Sequence, residues 1–220
     1  MQKLTSLMIG LGALLMSATG LSAQTYTPDI LELDGANGLE FQPEDSYDIV
    51  GYGTVEFWVT PDWETDPGYD PVILSNAGEE GPSYLIALLR DRNGIGIVTG
   101  DREEIVAFDF TDGNMHHIAV NDYGDTLMVY IDHVLAGRFE PGLQQLPSSG
   151  VWIGTADGEA SPFIGAIAGL RFWGAPVEPD NLKKYARKDI FAGNGHPDLD
   201  YLTAMSEFDN RDVVVILDDQ

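Results

Sequence analysis

The side chains most able to do chemistry gather in one short segment, Pro61-Asp62-Trp63-Glu64-Thr65-Asp66-Pro67-Gly68-Tyr69-Asp70-Pro71. Asp62, Glu64, Asp66 and Asp70 have the spacing of positions 1, 3, 5 and 9 of a calcium loop, in which hard oxygens wrap one ion. The turn-glycine position of such a loop is Pro67 here, and its bidentate acid would be Ile73, so the pattern also describes a solvated acidic loop. Asp62, Asp66 and Asp70 are the candidate calcium ligands. Trp63 and Tyr69 offer a second chemistry. Aromatic faces stack on the apolar face of sugar rings, and neighbouring carboxylates accept hydrogen bonds from hydroxyls. A second acidic turn, Asp157-Gly158-Glu159, could meet the same ligand or an ion, as could Asn121 to Asp125, although Asp and Gly are also what tight turns need.

Leu31 to Phe41, LELDGANGLEF, carries another pair of acids. On an extended strand Glu32 and Asp34 share a face, the arrangement in which two carboxylates can flank a glycosidic bond. The next residue on that face is Ala36, the chain turns at Gly35, and Glu40 lies beyond the turn. The segment therefore reads as an opening strand, a turn and the start of the next strand, with Leu39 and Phe41 on the buried face. Nucleophilic catalysis finds no support: there is no cysteine, and no serine sits in a Gly-x-Ser-x-Gly elbow. His116 and His117 are adjacent, so their rings point to opposite faces of a strand and cannot share one ion. His116, on the face of Ile118 and Val120, reads as a hydrogen-bonded core histidine. His133 suits a hairpin turn, and His196 a loop.

Period-2 alternation supplies the elements that must hold these residues. In Thr54 to Thr60, Val55, Phe57 and Val59 point one way and Glu56, Trp58 and Thr60 the other. The same pattern predicts strands at Val72 to Ser75, Ser83 to Leu89, Ile95 to Thr99, Glu104 to Phe108, His116 to Asn121, Thr126 to Asp132, Val151 to Gly154 and Gly165 to Trp173. Asn93-Gly94, Asp112-Gly113, Tyr123-Gly124 and Asp157-Gly158 mark turns between them. Many strands joined by tight turns predict an all-β fold of two stacked antiparallel sheets. Val177 to Ala186 breaks the pattern with an early proline, acids first, bases last, and Leu182, Tyr185 and Ala186 on one stripe: a short helix near the C-terminus. The tail from 189 to 220 reads as a loop and one or two closing strands of the same domain, since it is too short to bury a core of its own.

Residues 1–23 have the form of a cleaved signal peptide, with Lys3 as the positive start, an apolar run from Leu7 to Met16, and Leu21-Ser22-Ala23 before the cut. The expected location is extracellular or periplasmic, with no membrane insertion after cleavage. The acid excess, 36 Asp plus Glu against 11 Lys plus Arg, gives a net charge of −25, and loss of Lys3 takes it to −26. Such a field repels phosphate backbones and anionic lipid, which excludes nucleic acid as the expected partner. A glycan or protein ligand is expected, and the oligomeric state stays open.

The order of the sequence blocks resembles the laminin-G-like jelly roll of the concanavalin A-like lectin and glucanase superfamily, its bacterial, pentraxin-like branch in particular. Ile30 to Gly35 looks like the opening strand, and Thr54 to Val59 like the family's Glu-Phe-Trp-Val strand. Ile73-Leu74-Ser75, Met115 to Val120, Leu127 to Asp132, Ile153-Gly154 and Phe163 to Trp173 resemble the blocks that follow, with Met115 in place of Trp and His133 in place of a turn Gly. The resemblance covers residues from about Ile30 to Ala186, within a laminin-G-like domain at 24–188. It implies a two-sheet antiparallel jelly-roll sandwich with a ligand-binding or adhesive surface, commonly for glycans and sometimes with calcium. Calcium-bearing relatives hold an acid where this chain has Gly169. The superfamily's glucanases carry Glu-x-Asp-x-(x)-Glu on one strand, and the third acid is missing after Asp34. The reading is a non-catalytic binding module whose expected ligand is carbohydrate, with calcium assistance in view. Trp63, Tyr69, Asp157 and Glu159 are its ligand-binding candidates. A glycoside hydrolase and a structural protein-interaction module are the alternatives.

Overall fold

A computed structural model describes residues 30–36, 38–41, 47–64, 66–78, 80–147, 150–188, 190, 195–206, 208 and 214–216. The expected signal peptide, Asn37, Thr65, Asp189, Val213 and Leu217 lie outside the described residues.

Among the described residues, fourteen strands form two antiparallel sheets. They are β1 (Ile30–Asp34), β2 (Leu39–Phe41), β3 (Gly53–Pro61), β4 (Val72–Gly78), β5 (Gly81–Leu88), β6 (Gly94–Thr99), β7 (Arg102–Ala107), β8 (His116–Asp122), β9 (Leu127–Ile131), β10 (Val134–Phe139), β11 (Val151–Ile153), β12 (Ile164–Trp173), β13 (Leu202–Ser206) and β14 (Val214–Ile216). The larger sheet runs β10-β9-β8-β3-β12-β13-β14, with β1 also paired to β12; the smaller runs β2-β11-β4-β5-β6-β7. This is the expected jelly-roll sandwich. Val55, Phe57 and Val59 point into the core against Tyr84, Ile86, Ile95, Ile97 and Phe110 from the other side, so period-2 patterning gives each sheet one apolar face.

The other face of the larger sheet is buried too. Helix α1 (Pro179–Tyr185) starts at a proline and carries Lys183 and Lys184 in its last turn, complementing its dipole. Leu182 and Tyr185 pack with Val177, Trp173, Tyr130 and Leu202 into a second apolar cluster. Thr54 Oγ1 donates to the Ala175 carbonyl and Trp58 Nε1 to that of Ala186, so the segment is pinned lengthwise along β3.

Two local features depart from simple alternation. β10 is absent from the sequence prediction because a register shift between Leu135 and Gly137 breaks its period against β9. In β12 the pairing with β3 shifts between Ala168 and Arg171, and Gly169 sits there at φ +59°. Glycine takes this left-handed conformation without strain, so a bulge occupies the position where calcium-bearing relatives place an acid. The tail's β13 hydrogen-bonds to β12 and extends the larger sheet.

Candidate functional site

The acidic loop between β3 and β4 is tied to its scaffold. Trp63 is half-buried, its Nε1 donates to the Phe110 carbonyl at 3.1 Å, and the Arg92 guanidinium lies over its ring at 5.2 Å. Arg92 also donates to the Trp63 carbonyl and adopts φ +67°, so it clamps the loop from one side. Tyr69 spends its hydroxyl on the Pro162 carbonyl. Backbone bonds from Asp62 N to Ile164 O and from Val72 N to Ser161 O bring the loop beside the one that carries Asp157 and Glu159. The two aromatic candidates and the second acidic turn thus share one end of the sandwich. The depression between Trp63, Pro67 and Pro162 has room for little more than a water molecule.

The carboxylates of the loop have local work. Asp62 accepts the Glu64 amide, Asp66 the Gly68 amide, and Asp70 the Arg90 amide at 2.7 Å. Asp157 accepts the amides of Glu159 and Ala160. Asp62, Asp66, Asp70, Asp157 and Glu159 are all exposed. Among the described residues, no three acidic or histidine side chains gather in an arrangement that could hold a metal ion, so Asp62, Asp66 and Asp70 do not converge as a preformed triad.

Glu32 and Asp34 are exposed on β1, and Asp34 accepts the Ala36 amide as a turn residue. Glu40 lies in the other sheet, opposite Trp152.

The residues that sequence reasoning missed lie on the outer face of the smaller sheet. Register places Glu40 opposite Trp152, Trp152 opposite Ser75, Ser75 opposite Leu85, Leu85 opposite Val98, and Val98 opposite Glu103. One row therefore crosses all six strands, and its neighbours along each strand, such as Val151, Ile153, Leu74, Ile86 and Ile97, point into the core. Trp152, Leu85 and Val98 are half-buried, while Glu40 and Glu103 at the two edges are exposed. In the floor of the row Ser75 is fully buried, and its Oγ has no hydrogen-bond partner. Ser75 is thus covered by its neighbours in the sheet, and the accessible groups of the row are Glu40, Trp152, Leu85, Val98 and Glu103. The sequence signal that could have found it is the alternation of Val151-Trp152-Ile153, which turns the tryptophan outward.

The larger sheet's covered face holds a buried charge cluster. Glu56, 2% exposed, accepts from Arg171 (3.3 Å) and Trp173 (3.1 Å) through Oε1 and meets His117 Nε2 at 2.9 Å through Oε2. Burial raises the Glu56 pKa, but Arg171 and His117 outweigh it and bring the pKa down to about 2. Arg171 also donates to the carbonyls of Tyr185 and Lys188, so the cluster fastens the end of α1 to the sheet. On the other face of the same strand, His116 is buried as expected, bridging Asp132 at 2.8 Å and Asp112 at 3.0 Å. The cluster and the histidine serve packing and hold no open site.

Two stacked antiparallel sheets, one outer face roofed by a helix and the other carrying an outward-facing tryptophan, define a lectin-like jelly roll. Residues 33–183 match the laminin G family model of the concanavalin A-like lectin/glucanases superfamily, and the chain belongs to that family. Solved structures share the fold at low identity. A candidate carbohydrate binding protein from Bacteroides ovatus superposes with a TM-score of 0.64 at 15% identity over 85% of this chain, which spans about half (53%) of that one. A heptameric SAP-like pentraxin from Limulus polyphemus gives a TM-score of 0.57 at 15% identity, covering 89% of this chain and 91% of the other. Domain 4 of an extracellular arabinanase from Geobacillus stearothermophilus, in complex with arabinotriose, gives 0.54 at 18% identity, covering 70% and 74%. No protein of curated function matches the chain.

Proposed function

We propose that the protein is a secreted, non-catalytic carbohydrate-binding module whose ligand lies on the outer face of the smaller sheet. The row from Glu40 to Glu103, with half-buried Trp152 beside exposed Glu40 and an exposed carboxylate at each end, carries this reading. It supplies what sugar recognition needs: an aromatic face for the apolar side of a ring, and polar groups for its hydroxyls. A fold relative described as a candidate carbohydrate binding protein and another in complex with arabinotriose are consistent with it, as is the absence of a third acid on the strand face of Glu32 and Asp34. Trp63 and Tyr69 act as clamps of the neighbouring loop, and Asp157 and Glu159 as its second acidic turn, so this end of the sandwich is a secondary contact region. Calcium belongs to the proposal only at Asp62, Asp66 and Asp70, as a site that would have to form by loop rearrangement.

The test is calorimetric titration of the mature chain with a panel of oligosaccharides. Trp152→Ala is expected to weaken binding tenfold or more, about 1.4 kcal/mol, whereas Trp63→Ala leaves a correctly folded chain within a few-fold of wild type. Equal loss in both variants, or turnover of any panel member, would overturn the proposal.

A further inference from the structure

We infer that Glu40 and Glu103 are specificity-determining residues that confine this face to uncharged, linear glycans lying across the strands; the inference rests on the carbohydrate-binding reading above. The two acids terminate the row on opposite edge strands, β2 and β7, and everything between them is uncharged: Trp152, Ser75, Leu85 and Val98. Glu103 leans over the face, because a Cβ built on Gly96 of β6 would lie 3.1 Å from its Oε1. Five strand spacings separate β2 from β7, so the strip is roughly 24 Å long, more than a monosaccharide or disaccharide fills. Being bounded by edge strands, it leaves both ends of a ligand chain free to run on, which suits an internal stretch of a polymer better than a chain terminus. Carboxylates accept hydrogen bonds from sugar hydroxyls but repel uronate, sialate or sulfate groups, and the net charge of −25 adds the same sign at longer range. Repulsion of the wrong ligand is as much a specificity device as attraction of the right one.

The test uses the mature chain, neutral gluco-, manno- and arabino-oligosaccharides of increasing length, and oligogalacturonates of matched length. At least one neutral series should gain about tenfold in affinity from disaccharide to pentasaccharide, and oligogalacturonates should bind at least tenfold more weakly than that series. The double variant Glu40→Gln/Glu103→Gln, with a wild-type circular dichroism spectrum, should narrow the gap to within about threefold, and added salt should narrow it in the wild type. Uronates binding as tightly as neutral chains, or a gap unchanged in the double variant, overturns the inference. If instead no glycan binds, or Trp152→Ala binds like wild type, the underlying reading has failed. A face that binds neutral chains but shows no length dependence refutes the cross-strand placement.

Discussion

Replacing Glu56 by Gln should remove one of the larger electrostatic supports of the fold. Its carboxylate is 2% exposed and bonded to Arg171, Trp173 and His117. The depression of the pKa from 4.5 to about 2 corresponds to about 3 kcal/mol at neutral pH. Breaking a buried ion pair by removing one partner costs about 3–5 kcal/mol, since the other charge stays buried; here Arg171 would lose the carboxylate charge and face neutral acceptors, the Tyr185 and Lys188 carbonyls among them. A loss of about 3 kcal/mol lowers the midpoint of a chain of this size by about 6–12 °C. The pH dependence has a definite sign. Because the folded pKa lies below the unfolded value, the stabilisation is complete above about 4.5 and is lost as pH falls toward 2. Urea unfolding followed by tryptophan fluorescence should show the wild type losing stability over that window, with the Gln variant much flatter across it. Glu56→Gln/Arg171→Met should recover part of the loss, since no charge is then left unpaired. A Gln variant within about 2 °C of wild type, with an unchanged acid limb, would refute the argument. Glycan binding at Trp152, on the other sheet, should be unaltered.

His116 should give a second, opposite pH signature. Burial lowers its pKa, but the hydrogen bonds and charges of Asp132 and Asp112 outweigh burial and raise it. The associated stability is present below the ordinary histidine value of 6.5 and fades as pH rises through the raised pKa; thermal melting from about pH 6 to 9 should decline in the wild type and lose that slope in His116→Gln. An unchanged slope in the variant would place the titration elsewhere. For calcium, melting with excess ion against chelator should raise the midpoint only if Asp62, Asp66 and Asp70 rearrange around an ion, and an unchanged midpoint removes calcium from the proposal.

What could be read from the sequence follows from the range of the interactions involved. Strands and helix were legible because alternation and capping are local: Thr54 to Thr60 shows its period within seven residues, and α1 carries its own proline and bases. β10 was not, because its bulge breaks the period. The second buried face of β3 was not, because Glu56 and Trp58 look like solvent-facing residues until α1, far along the chain, lies over them. The acidic loop shows why spacing alone does not decide between a site and a turn. Acids two residues apart suit a calcium loop, yet a carboxylate that accepts the amide two residues on gives the same spacing, and Asp62 and Asp66 do this. The row around Trp152 is the converse case. Its members come from six strands, and no pair is near enough in sequence to form a motif, so only the strand register assembles them. A site built across strands is invisible to motif reasoning in proportion to how fully it uses the sheet. Sequence therefore recovered the class of this protein, whereas the row that includes Trp152 emerges only once the strands are paired.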